Sequence, residues 1–274
     1  LPPSSDGGNV INPDDKLHGA RIRAASRLAE QRFALELRDA CASTNSTILE
    51  LAPPAPGVLQ LLACESQTAG RGRRGRNWLS WGGGSLTFSA RWQFRSGNAA
   101  PAGLSLAAGV AVALALETLG ARGIALKWPN DILLHGAKLG GILTELATDS
   151  SGAMSAVIGI GLNLRRSDAC VPDVPIAALE DALRPVPDRS VLLGACAGQL
   201  AAMLETFASA GFAAYRQAWQ ARNAHVGCMV RVSGEMGAGR EGLCVGVDDD
   251  GALLIETHGQ AMRILSGDVT LRPA

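Results

Sequence analysis

The chain predicts a mixed α/β core followed by a small all-β unit, and three observations carry this. Between residues 33 and 164, short β-patterned runs alternate with helical ones, as expected when sheet and helix share one core. Residues 103–116 form the longest apolar run; short of the ~20 residues a membrane span needs, it reads as a buried helix. From about residue 224 the pattern changes to four short strands, with Asp248-Asp249-Asp250-Gly251 between two of them as a hairpin turn.

Residues 1–15, rich in Pro, Ser, Gly and Asn, predict a flexible tail. Leu17, Ile22 and Leu28, set among arginines, predict a short amphipathic helix over 16–30, followed by a strand over 33–38. Residues 43–51 open with side chains able to cap a helix, and Pro53-Pro54-Ala55-Pro56-Gly57 ends it. A strand over 58–63 leads into an arginine loop. Further strands are expected at 85–94, 124–127, 131–134, 141–146 and 156–164, with a helix at 104–119. Helical patterns return at 176–183, 190–207 and 212–222, the last two parted by Gly211. The remaining strands fall at 226–232, 241–247, 253–256 and 261–265. The resulting division is a core over 16–223 and a β unit over 224–274.

With 47% hydrophobic residues the chain can build an ordinary globular core. Its 25 basic and 25 acidic residues argue against a general polyanion binder, which needs a broad basic excess. The six cysteines stand singly, with no Cys-x-x-Cys pair, and predict reduced thiols in a cytoplasmic protein. His18, His135, His225 and His258 are scattered, and nothing nominates any of them as a base.

The positive charge is local. Residues 66–116 hold six arginines and no acidic residue. Within them Gly70-Arg71-Gly72-Arg73-Arg74-Gly75-Arg76 combines glycines that let backbone approach a ligand with forked donors suited to phosphate or carboxylate. Gly70, Gly72 and Gly75 match the dinucleotide pattern, but no helix follows them, and the next acidic residue is Glu117. A P-loop is excluded because no Gly-Lys-Ser/Thr follows, and no Lys-x-Asp-Gly supports a lysyl-AMP route. A solvated basic turn is the plain alternative.

Four further motifs stand around this loop in order: Ser43-Thr44-Asn45, Lys127-Trp128-Pro129-Asn130-Asp131, Lys138-Leu139-Gly140-Gly141-Ile142-Leu143-Thr144-Glu145 and Gly159-Ile160-Gly161-Leu162-Asn163-Leu164. With the loop they cover most of residues 40–165, and on them the chain resembles biotin protein ligases. The resemblance implies an α+β fold related to class II synthetase-like ligases, with an SH3-like barrel as the β tail. It implies that biotin and ATP give biotinyl-5′-AMP, with Mg²⁺, and that a lysine of a carboxylase's biotin carboxyl carrier domain then takes the biotinyl group. Residues 1–42 are too few for the winged-helix domain that some family members carry, so no specific DNA binding is expected.

The same resemblance distributes the roles. Lys138, Arg73 and Asp131 are the catalytic candidates, Lys138 because a fixed ammonium near the α-phosphate stabilises growing charge. Biotin is expected against Ser43, Thr44, Asn45, Gln67, Arg71, Gly72, Arg73, Lys138, Gly140, Gly141, Leu143, Gly159 and Gly161. The nucleotide is expected against Gly70, Arg71, Arg73, Arg76, Trp78, Asn130, Lys138 and Asn163, and Asp131 is the one candidate for Mg²⁺. Taken alone, Ser43-Thr44-Asn45 reads as a helix cap, Lys138 as a surface lysine, Asp131 as a turn cap and Trp78 as a core residue. The competing functions are a lipoate-type ligase and a nucleic-acid module using the arginine loop, the second requiring steeply salt-dependent binding. An open edge of the core sheet is a candidate for pairing two chains.

Overall fold

The computed structural model describes residues 16–94, 101–148, 152–166, 176–233 and 240–265; the tail expected at 1–15 lies outside them. The core is built from α1 (Gly19–Ser26), β1 (Phe33–Cys41), α2 (Thr44–Glu50), β2 (Leu59–Gln67), β3 (Ser85–Gln93) and α3 (Leu104–Thr118). There follow β4 (Ile124–Lys127), β5 (Asp131–Leu134), β6 (Ala137–Thr148), β7 (Met154–Asn163), α4 (Arg189–Ala210) and α5 (Ala213–Gln220). The tail forms β8 (Met229–Val232), β9 (Arg240–Val247), β10 (Leu253–Thr257) and β11 (Gln260–Ile264). Seven strands make one sheet in the order β1-β2-β3-β7-β6-β5-β4. Only β1 and β2 run parallel; the other neighbours are antiparallel. A separate antiparallel sheet has the order β11-β10-β9-β8.

One face of the large sheet is covered by α3 and α4. Alternation along β3 and β7 sends Leu86, Phe88, Ala90, Ile158 and Leu162 into the cluster those helices complete with Val110, Leu116, Leu193 and Leu200. α3 is buried around most of its circumference, and its small residues let neighbours approach. α4 has 22 residues and is long and apolar enough to cross a membrane by length and composition, longer than the 103–116 run picked out in the sequence. Here it packs on α1 and α3, with Leu192, Leu193, Leu200 and Leu204 buried.

Three expectations need correction. The helix at 176–183 is only a 3₁₀ turn, Leu179–Asp181, because the segment before it pairs with β6: Ala177 donates to the Lys138 carbonyl at 2.8 Å. β6 begins at Ala137, not 141, so Lys138 sits on a strand. Ser43 occupies the N-cap position of α2 without capping it through its side chain.

The small sheet is tied to the core. Val230, Cys244, Leu253 and Ile255 join the same buried cluster as Phe212 and Trp219. The indole Nε1 of Trp128 donates to the Gly251 carbonyl in the β9–β10 turn at 2.8 Å. The outer edge of β4 is partly occupied, since Leu126 exchanges backbone hydrogen bonds with Arg222 and Ala224; β1 is the sheet's other outer strand.

Candidate active site

The face of the large sheet opposite α3 and α4 carries the site beside α2, and strand register explains its shape. Thr87 lies beside Gly161, Gly161 beside Gly141, and Gly141 beside Asp131. One row further, Ser89, Gly159 and Leu143 are neighbours. Directly opposed residues point to the same side, so two glycines with a polar residue at each end form a sunken floor.

That lowered floor is filled from above. A Cβ on Gly161 would come within 2.3 Å of the Trp78 ring, and one on Gly159 within 2.2 Å of Asn45 Oδ1. Any larger residue at either place would clash with the side chain that covers it.

The arginine loop is a hairpin over this floor. Trp78 N donates to the Gly70 carbonyl at 2.9 Å, Gly72 N to the Arg76 carbonyl at 2.7 Å, and Arg71 bridges Asn77. At the tip, Arg74 and Gly75 have φ of 54° and 70°, the paired positive values of a type I′ hairpin turn, which explains a glycine there. Arg71, Arg73 and Arg76 line the cavity beneath, and Arg74 does not.

At the end formed by α2 and β2, Ser43, Thr44 and Asn45 are buried. Gln67 Oε1 accepts from Thr44 N at 2.8 Å and from Thr44 Oγ1 at 3.2 Å, leaving its Nε2 to face a ligand. Asn45 is committed to protein: Nδ2 donates to the Leu143 carbonyl at 3.2 Å and to Glu145 Oε2 at 2.7 Å, while Oδ1 lies 2.6 Å from Ser89 Oγ. Ser43 Oγ, Gln67 Nε2 and the Thr87 hydroxyl are the donors on this side of the cavity that none of these bonds uses.

At the other end, Lys138 Nζ lies 2.7 Å from Asp131 Oδ1 and 6.0 Å from the centroid of the Trp78 ring. Asn130 is fixed by Ile142 through both its side-chain amide (2.8 Å) and its carbonyl (2.9 Å), and turns Oδ1 toward Arg73 at 3.5 Å. His225 also lines this cavity. Burial, and secondarily the charge of Lys127, hold its imidazole below the usual histidine range.

The cavity measures about 590 Å³, within the range of small-molecule sites. It brings together Ser43, Thr44, Asn45, Gln67, Arg71, Gly72, Arg73, Arg76, Trp78, Asn130, Asp131, Lys138, Gly141, Leu143, Gly159 and Gly161. Gly70, Gly140 and Asn163 are not on its wall. Gly70 pairs with Trp78 in the hairpin, and Asn163 donates to the Ala177 carbonyl at 3.2 Å.

The sequence reading missed Thr87, Ser89, Glu145 and His225. The first two had a signal, the alternation Ser85, Thr87, Ser89 against Leu86, Phe88, Ala90. Glu145 follows Gly141 and Leu143 at period two on the same face. His225 had none; the pairing of residues 222–224 with β4 brings it in.

For Mg²⁺, no group of three His, Cys, Asp or Glu side chains is found among the described residues, and Asp131 already pairs with Lys138. The side chains present do not form a protein cage for a hard cation.

Comparison with known proteins places this geometry. The family model "Biotin/lipoate A/B protein ligase family" matches residues 41–163, from the strand before Ser43 to the end of β7. The chain is 36% identical over 229 residues to the biotin–[acetyl-CoA-carboxylase] ligase of Paracoccus denitrificans, covering 78% of this chain and 90% of that one. It is 38% identical over 215 residues to the bifunctional ligase/repressor BirA of Escherichia coli, covering 77% of this chain and 65% of BirA; it thus spans just under two thirds of that relative's length. A solved biotin protein ligase from Aquifex aeolicus in complex with biotin and ATP superposes with a TM-score of 0.74 at 28% identity, covering 88% of this chain and 99% of the other.

A seven-stranded sheet with a sunken glycine floor under an arginine hairpin therefore defines a ligase-type α+β domain with room for a small organic ligand and an anion. The small sheet beside it is consistent with an SH3-like domain. By sequence and by fold, the chain belongs to the biotin/lipoate A/B protein ligase family, and the Paracoccus and Aquifex proteins named above are biotin ligases.

Proposed function

We propose that this chain activates biotin with ATP as biotinyl-5′-AMP and passes the biotinyl group to a lysine of a carboxylase carrier domain. The observation that carries the reading is one cavity with uncommitted donors at one end, a lysine held by a carboxylate at the other, and three arginines across the roof. Ser43 Oγ and Gln67 Nε2 suit the ureido carbonyl of biotin, and the apolar surfaces of Leu143 and Trp78 suit its ring and chain. The carboxylate would then lie toward Lys138, where it attacks the α-phosphorus of ATP as the bond to pyrophosphate breaks.

Negative charge grows on the α-phosphoryl oxygens in that step. The Lys138 ammonium, oriented by Asp131, supplies a fixed positive charge that need not reorganise, and Arg73 and Arg76 offer forked donors to phosphate. In the second half, the acceptor amine attacks the biotinyl carbonyl carbon and AMP leaves with the anhydride oxygen.

The test is exchange of labelled pyrophosphate into ATP with magnesium, comparing biotin, lipoate and no acid, followed by transfer to a carrier-domain lysine. Exchange that requires biotin is expected. Lipoate-only exchange would overturn the assignment of the acid, and exchange with neither would overturn adenylation.

A further inference from the structure

We infer that Glu145 is a positioning residue that seats both the arginine hairpin and the polar end of the acid pocket, although it does not itself line the cavity. Its two oxygens are divided between two site residues. Oε1 takes Arg71 Nη2 and Oε2 takes Asn45 Nδ2, each at 2.7 Å. Arg71 is held from its other side by Ser46 Oγ at 3.1 Å. Three separate stretches, the start of α2, the first arm of the hairpin and β6, therefore meet on one carboxylate.

The chemistry of that carboxylate matters more than its charge. Half-exposed ion pairs contribute little to stability, and Arg71 and Glu145 have side-chain exposures of 48% and 26%. A carboxylate, however, only accepts, so together with the Leu143 carbonyl it fixes which way the Asn45 amide faces: Nδ2 toward Glu145 and Oδ1 toward Ser89. It also ties the guanidinium of Arg71, and with it the first arm of the hairpin, to β6. A glutamine has nearly the same shape but one acceptor oxygen, so it must present its NH₂ to Arg71 or to Asn45, both donors. One of the two links then breaks while the fold is left intact.

This inference rests on the proposed biotin adenylation, and the experiment separates the two. Glu145→Gln and Glu145→Ala are compared with Arg71→Met and the double variant. Biotin-dependent exchange is read as KM and kcat, and substrate-free cleavage by trypsin near Arg73 is read as a rate. A KM for biotin raised about 10- to 100-fold in Glu145→Gln is expected, the scale of a misplaced site, with a smaller loss of kcat. Faster trypsin cleavage is expected as well, with the Arg71→Met effect absorbed in the double variant. An unchanged KM, or effects of the two substitutions that simply multiply, would overturn the inference. If the wild-type chain shows no biotin-dependent exchange, the functional reading fails. The cleavage cycle then still decides on Glu145: non-multiplying rates support it, and multiplying rates overturn it.

Discussion

Gly161→Ala is the most direct probe of the glycine floor, because the response can be worked out before the protein is made. The added Cβ would lie 2.3, 2.4 and 2.6 Å from Cε2, Cζ2 and Nε1 of Trp78, where carbon contacts relax to about 3.5–4.0 Å. The ring must therefore lift by roughly 1 Å. Its Nε1 is buried without a hydrogen-bond partner, so packing alone holds it, and it yields before the sheet does. Overpacking of this kind costs about 1–3 kcal/mol, which becomes about 5- to 150-fold when taken from the site. Biotin-dependent pyrophosphate exchange should lose that much in kcat/KM, with little change in melting temperature.

Two neighbours calibrate the result. At Gly141 the new Cβ would lie 3.4 Å from the same ring, nearly ordinary contact, so Gly141→Ala should cost less than about threefold. At Gly159 it would meet Asn45, which is fastened to Ser89, Leu143 and Glu145 and cannot swing away. Gly159→Ala should therefore lower the melting temperature, by about 2–4 °C for each kcal/mol. Wild-type kinetics in Gly161→Ala, or equal damage from Gly141→Ala, would refute the reasoning.

Lys138→Ala should lower kcat for exchange by about 100- to 1000-fold, as loss of one oriented charge stabiliser does, with biotin affinity by calorimetry changed far less; a loss under tenfold would remove Lys138 from the chemistry. Arg189 and Glu65 are only 6% and 7% exposed and lie 2.6 Å apart, so Glu65→Gln should destabilise by about 3–5 kcal/mol in denaturant titration, and a shift below ~1 kcal/mol would contradict a paired buried charge. The thiol of Cys64, 3.2 Å away, brings Cys41 down to about 7, whereas burial pushes Cys196 up to about 12. Because the thiolate is the reactive form, alkylation of Cys41 should rise with a midpoint near pH 7 and precede that of Cys196; in Cys64→Ala the midpoint should move upward, and a profile that stays in place would show that the contact does not tune the thiol.

What the sequence disclosed depended on the range of the interaction that decided each element. The strands at 124–127 and 131–134 are flanked by their own turn residues and appear where local pattern puts them. The segment 176–183 carries helical spacing, but its backbone pairs with Lys138, nearly forty residues earlier, and a local reading cannot see that competitor. The motifs around Ser43, Arg71, Lys138 and Gly159 located most of the cavity. Glu145 was visible only as the last letter of one of them, since its partners come from α2 and the arginine hairpin. His225 is set by a backbone pairing with Leu126 that leaves no mark in its own neighbours.

The bond from Trp128 to the Gly251 carbonyl links the small C-terminal sheet to the wall of the cavity. Trp128 immediately precedes Pro129 and Asn130, and Asn130 faces Arg73 across the cavity. The turn between β9 and β10 is thus a brace under the Asn130 end of the cavity. Variants that loosen it should behave in an exchange assay as lesions of the cavity itself, and redesign of the cavity can treat that remote turn as a control point.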